Sequence, residues 1–139
     1  MSDLIWVPLQ AVVIIHDRQI ARHGGAAGLR DIGLLEGALE RPRNKAAYGK
    51  PGLEEVAAAY AFGIAKAHAF VDGNKRTAFV TSATFLRLNG FGLRPDPLDG
   101  VRAMEDLASS LLSEDEFGAW LGKLMVSDVS AYGTDLRFS

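Results

Sequence analysis

The chain has 139 residues, the length of one ordinary domain, and its 48% hydrophobic against 23% charged residues can fill a core, unlike the composition of disordered chains. With 15 lysines and arginines against 17 acidic residues the formal charge is -2, so no global pull toward nucleic acid or anionic membrane is built in and any phosphate binding must be local. The absence of cysteine excludes disulfides, thiol catalysis and cysteine-ligated metal centres, and the start Met1-Ser2-Asp3 with no membrane-length apolar stretch predicts a cytoplasmic protein without leader or anchor.

Leu4 to Val7 reads as a short extended run, and Pro8 suits the first position of a helix reaching about His23, where Gly24-Gly25 stops it. The β-branched cluster Val12, Val13, Ile14, Ile15 also suits a strand. Asp31 is an N-cap for a second helix carrying Leu34, Leu35, Ala38 and Leu39 until Pro42 closes it. The segment Pro42 to Gly52, with Arg43, Lys45, Tyr48 and Lys50, reads as an exposed loop or small flap. Glu54 and Glu55 form the acidic first turn of an alanine-rich helix from Val56 to Ala67, ending near His68. A helix from Asn74 to Asn89 stops at Gly90, and another follows from Asp99 to Leu111 with Val101, Met104, Leu107, Ala108 and Leu111 on one face. Ser113 and Glu116 make a capping box for a last helix through Phe117, Trp120, Leu121 and Leu124; the tail from about Val126 has no periodicity. The expectation is one all-α domain over 1–139, with six or so short helices, a core of about 5–125, a short N-terminal extended segment and a small flap.

The chemistry concentrates in His68-Ala69-Phe70-Val71-Asp72-Gly73-Asn74-Lys75-Arg76, at the junction of two predicted helices. Lys75 and Arg76 fall in the first turn of a helix, where the macrodipole disfavours cations, and that arrangement asks for an anion. Free amides at the helix start, a glycine that admits close approach and two cations describe a phosphate cradle. Asp72 can hold Mg²⁺ against such phosphates, and His68 has the pKa of a general base for an attacking hydroxyl. This is phosphoryl or nucleotidyl transfer chemistry, without GxxxxGK[ST] or GxGxxG.

The stretch HAFVDGNKR, followed by Thr77-Ala78-Phe79, resembles the signature HxFx[D/N]xNKR of the Doc (death on curing) branch of the Fic/Doc, or Fido, fold. Gly24-Gly25, Gly28 to Leu39 and Phe85 to Gly90 also resemble the regions flanking that motif, so the likeness spans roughly residues 5 to 125. The resemblance implies that His68 is the base, that Asp72 binds the metal, and that Asn74, Arg76 and the backbone around Gly73 hold the phosphates of Mg-ATP. Lys75 stands where the adenylylating branch has glycine, and Phe79 where it has a second arginine. In the Doc branch this pattern goes with transfer of the γ-phosphate to a threonine of elongation factor Tu, which stalls translation. The resemblance also implies a type II toxin whose groove is covered by a cognate antitoxin. The internal inhibitory motif [S/T]xxxE[G/N] is not met, since Ile32 stands before Glu36-Gly37. Arg43, Lys45 and Tyr48 fall in the target-docking flap.

Taken singly, these residues also have structural readings. His68 suits a helix C-terminus, Asp72 suits an N-cap, and Lys75 and Arg76 suit a solvated surface. His16 and His23 share a helix face but lack a third ligand for a metal site. Two rivals to the kinase reading remain at this point: a Fic-type adenylyltransferase, and a catalytically silent antitoxin-binding module. Direct contact with nucleic acid or membrane is not expected.

Overall fold

The structure, a computed structural model, describes residues 3–94 and 97–127. Six helices and a two-stranded ribbon make up its regular elements: α1 (Leu9–His23), α2 (Ile32–Ala47), α3 (Leu53–Ala67), α4 (Asn74–Leu88), β1 (Phe91–Leu93), α5 (Pro97–Ala108), α6 (Glu114–Leu124) and β2 (Met125–Ser127). None of the helices is long and apolar enough to cross a membrane. This is the all-α architecture expected of the sequence.

Helix α3 is the centre. Its small side chains Ala57, Ala58, Ala59, Ala61 and Ala65 are buried, and the helix packs against α2, α4, α5 and α6. Alanine and glycine there let neighbouring backbones approach closely, and the large side chains that fill the core come from the surrounding elements as well as from α3. Tyr60, Phe85 and Trp6 form one aromatic group, and Phe117 and Trp120 another.

The β-branched run in α1 is helical, its buried residues Val12, His16 and Gln19 recurring at helical spacing, with Val13 and Ile15 partly buried against the core and Ile14 exposed. Pro8 lies one position earlier than expected, outside α1, with its carbonyl accepting from Ala11 and Val12. The extended residues before it pair with no strand among the described residues. Side chains tie them down: Asn89 brackets Ile5 through both backbone groups, and the Tyr60 hydroxyl accepts from the Val7 amide at 2.9 Å.

Pro42 does not close α2. The helix continues to Ala47 with Pro42 buried inside it, so the loop expected from Pro42 shrinks to Tyr48–Gly52. Proline removes the amide that would have bonded Ala38, and that carbonyl points instead at α3, where a Cβ on Gly63 would lie 2.8 Å from it. The bare Gly63 thus makes room for a helix–helix contact that accommodates the proline. Helix α5 ends at Ala108, earlier than the periodicity predicts, because Ser110 adopts a left-handed φ of 69° and Lys66 bonds the Ala108 carbonyl. Val101 and Leu111, expected on the buried face, are exposed. The Asp31 cap of α2 and the Ser113/Glu116 capping box of α6 form as expected. Residues 125–127, at the start of the tail expected to be aperiodic from about Val126, pair antiparallel with β1 in the register Phe91↔Ser127, Gly92↔Val126, Leu93↔Met125. The rest of the tail lies outside the described residues.

Candidate active site

The site is built on the junction between α3 and α4. His68 is the C-cap of α3 in the left-handed region (φ 50°, ψ 43°), one of the two described non-glycine residues with positive φ. That conformation turns the chain out of the helix and leaves the imidazole exposed, with no hydrogen bond to its ring among the described residues. The His68 carbonyl is held by the Arg30 guanidinium, and the Ala69 carbonyl accepts from the amides of Arg30 and Asp31. Leu29 bridges Phe70, and the Val71 amide bonds Gly28. The segment from Gly24 to Asp31 is therefore stitched along the junction as a short antiparallel support.

Asp72 is exposed, and each carboxylate oxygen accepts one backbone amide: Oδ1 from Gly73 at 2.8 Å and Oδ2 from Ala26 at 3.3 Å. A Cβ on Gly25 would lie 2.7 Å from Oδ2, so the close approach requires glycine there. Asp72 does not cap α4. Gly73 does, at φ 77°, and makes no side-chain cap bond. The first intrahelical bond runs from the Thr77 amide to the Gly73 carbonyl, so the amides of Asn74, Lys75 and Arg76 point out of the helix start. Neither Lys75 nor Arg76 forms an ion pair among the described residues, and both are exposed. Open amides, the positive end of the α4 dipole and two cations without an ion pair among the described residues together form a nest with the chemistry to accept an anion.

These groups share one cleft of about 740 Å³, lined by His68, Asp72, Gly73, Asn74, Lys75, Arg76, Phe79, Val101, Met104 and Glu105, with Gln19 and His23 from α1. The residues singled out between His68 and Arg76 in the sequence therefore meet in space. The Asn74 carboxamide accepts from the Phe70 amide and donates to the Phe70 carbonyl, both at 3.0 Å. It clamps the loop, and what it presents at the helix start is its backbone N–H. Phe79, in place of a clamping arginine, lines the cleft and packs toward Trp120.

Arg43, Lys45 and Tyr48 are not gathered into this cleft. Arg43 lies over the Trp6 ring, Lys45 of α2 pairs with Glu114 of α6 at 3.6 Å, and Tyr48 is exposed at the edge of a separate depression that also contains Arg41 and Glu114. Sequence reasoning missed three contributors. Gln19 and the wall from α5 line the cleft, and His16, dismissed as half of a metal pair, is buried beneath the loop and bonded to the Asp72 carbonyl. The signal for the two α1 residues was the helical spacing of His16, Gln19 and His23 on one face of that helix, which is legible but names no partner.

Among the described residues no group of three or more histidines, aspartates or glutamates is placed to hold a metal. Asp72 is a single carboxylate with one lone pair left on each oxygen.

The family model described as the Fic/DOC family matches residues 6–86, from α1 through most of α4, including the whole junction. The chain is 34% identical over 122 residues, covering 87% of this chain and 86% of that protein, to the protein kinase Doc of Escherichia phage P1. It is 44% identical over 95 residues, 66% of this chain and 71% of that protein, to the toxin Doc of Mycolicibacterium smegmatis.

Proposed function

This chain belongs to the Fic/Doc family, and we propose from that premise that it is a Doc-like toxin transferring the γ-phosphate of ATP to a hydroxyl of a protein substrate. The observation that carries the reading is the convergence, in one cleft, of an exposed histidine ring with an anion nest made by the start of α4. His68 takes the proton of the attacking hydroxyl as that oxygen bonds to the γ-phosphorus. The bond from phosphorus to the β-phosphate oxygen breaks, and ADP leaves. The amides of Asn74, Lys75 and Arg76, with the two cationic side chains, hold the phosphates in line and offset their charge.

A magnesium ion fits Asp72. The carboxylate is exposed, oriented by two amides and adjacent to the nest, and the remaining ligands would be phosphate oxygens and water. Bound there, it would neutralise phosphate charge. Phe79 supports γ-phosphate transfer over adenylylation, because a phenyl ring supplies no donor where the adenylylating pattern has a second arginine.

The substrate we assign is elongation factor Tu, modified on a threonine in the cytoplasm, with translation blocked as the result. Regulation falls to a cognate antitoxin covering the cleft, in keeping with Ile32 at the place of the hydroxyl residue of the internal inhibitory motif. Intact-mass spectrometry of elongation factor Tu after incubation with Mg-ATP and this protein, beside its His68→Ala variant, tests the reading. A phosphate-sized addition that requires His68 is expected. An adenylate-sized addition would reverse the orientation assigned to the nucleotide, and an addition unaffected by H68A would remove His68 from its role.

A further inference from the structure

Helix α1 sends a buried histidine against the loop between α3 and α4. His16 is 1% exposed, and its Nε2 lies 2.7 Å from the carbonyl oxygen of Asp72. A carbonyl only accepts, so Nε2 carries the proton and donates it. The ring is stacked on Phe70 with 3.9 Å between centroids and 9° between planes, which fixes the direction in which that N–H points. A Cβ on Gly73 would lie 3.6 Å from His16 and 3.1 Å from Ile20, so α1 and the loop are in close contact here.

What this bond holds is the peptide unit between Asp72 and Gly73. Its carbonyl is taken by His16 from within, and its N–H bonds outward to the Asp72 Oδ1 at 2.8 Å. Rotating that one peptide would move the carboxylate and the cap of α4 together. Asn74 clamps the same loop at Phe70, the residue on which His16 stacks.

We propose that His16 is a positioning residue for phosphate binding: its Nε2–H holds the Asp72–Gly73 peptide so that the Asp72 carboxylate and the amides at the start of α4 face the cleft together. The inference rests on the reading of that cleft as a Mg-ATP site. His16 touches no substrate. Its action passes through the Asp72 carbonyl, as outer partners of metal ligands do, where substitutions typically weaken binding or activity 10- to 100-fold.

The test compares His16→Leu, which keeps an apolar side chain but no donor, with His16→Gln, whose carboxamide nitrogen can occupy the place of Nε2. Two quantities are measured on the full chain: Mg-ATP affinity by calorimetry, which needs no phosphoryl transfer, and hydrogen exchange of the Gly73 amide by NMR without nucleotide. The expected result is a loss of affinity of about 10-fold or more in H16L, faster Gly73 exchange, and recovery of most of both in H16Q. If H16L binds Mg-ATP as tightly as the unmodified chain, the proposal is overturned while the site reading stands. If the unmodified chain binds no Mg-ATP, the site reading falls, and unchanged Gly73 exchange in H16L would then overturn the positioning role separately. Should H16L not fold, His16→Asn, with a shorter reach, takes its place against H16Q.

Discussion

At the scale of single residues, His68 carries a conformational cost that fits the role of base proposed for it. A side chain in the left-handed region is disfavoured by about 1–2 kcal/mol, and a helix C-terminus in that conformation ordinarily selects glycine. Substituting His68→Gly should therefore raise stability by about 1 kcal/mol in urea unfolding while abolishing transfer, whereas H68A should abolish transfer with no such gain. Gly25 shows the reverse dependence. Its φ of 112° and the 2.7 Å separation of a built Cβ from Asp72 Oδ2 mean that Gly25→Ala pushes the carboxylate away from the Ala26 amide. A Mg²⁺ titration of the transfer rate should show the metal requirement of G25A rising by roughly 10-fold. His68, Asp72, Lys75 and Arg76 were legible in the sequence because their pattern is local and the helix start alone explains the need for an anion. His16 was not, since its partner lies 56 positions away and a buried histidine has the same appearance whatever it bonds. The bond of Asn74 to Phe70 was not legible either, because a carboxamide within reach of a phosphate is equally within reach of its own loop.

At the scale of elements, each helix was legible where caps and apolar spacing agreed, as at Asp31 and in the Ser113/Glu116 box. The reading failed at Pro42, where the local rule is overridden by a contact from another helix: Gly63 of α3 is invisible from α2 until the two are packed. It also failed at Met125–Ser127, whose three residues carry too short a pattern to announce a strand without β1 beside them. The N-terminal segment is held in another way, by the Tyr60 hydroxyl, which accepts from the Val7 amide and donates to the Val7 carbonyl. Burial raises the pKa of this phenol above its ordinary 10.0, with the Val7 hydrogen bond and Arg43 opposing the shift. The native state thus keeps the proton more tightly than the unfolded chain does. Tyr60 leaves stability unchanged below pH 10 and lowers it as the pH rises from there through the raised value. Urea midpoints measured upward from pH 9 should fall less steeply in Tyr60→Phe than in the unmodified chain. At neutral pH that variant should be less stable by about 1–3 kcal/mol, because the buried Val7 amide loses its acceptor.

At the scale of the whole molecule, the cleft is assembled from pieces far apart in the chain: the face of α1, the junction from His68 to Arg76, and the wall of α5. What brings them together is α3, whose C-terminus delivers His68 and whose other end meets α6, where a Cβ on Gly118 would lie 3.4 Å from that of Ala58. Ala58 and His68 are separated by 10 helical positions, about 15 Å along the axis at 1.5 Å per residue. Stability and activity should therefore come apart in Ala58→Leu. The added methylenes have no room between α3 and α6, and overpacking of this kind costs about 1–3 kcal/mol, or roughly 4 °C of Tm for each kcal/mol in a domain of this size. Since the distortion arises at the end of α3 remote from the junction, kcat and the Mg-ATP requirement of A58L at 20 °C should match those of the unmodified chain, while its Tm falls. The opposite outcome, a lowered kcat in a protein still fully folded at 20 °C, would mean that α3 transmits packing strain along its length to His68. In that event the left-handed turn at its C-terminus would be the element that yields.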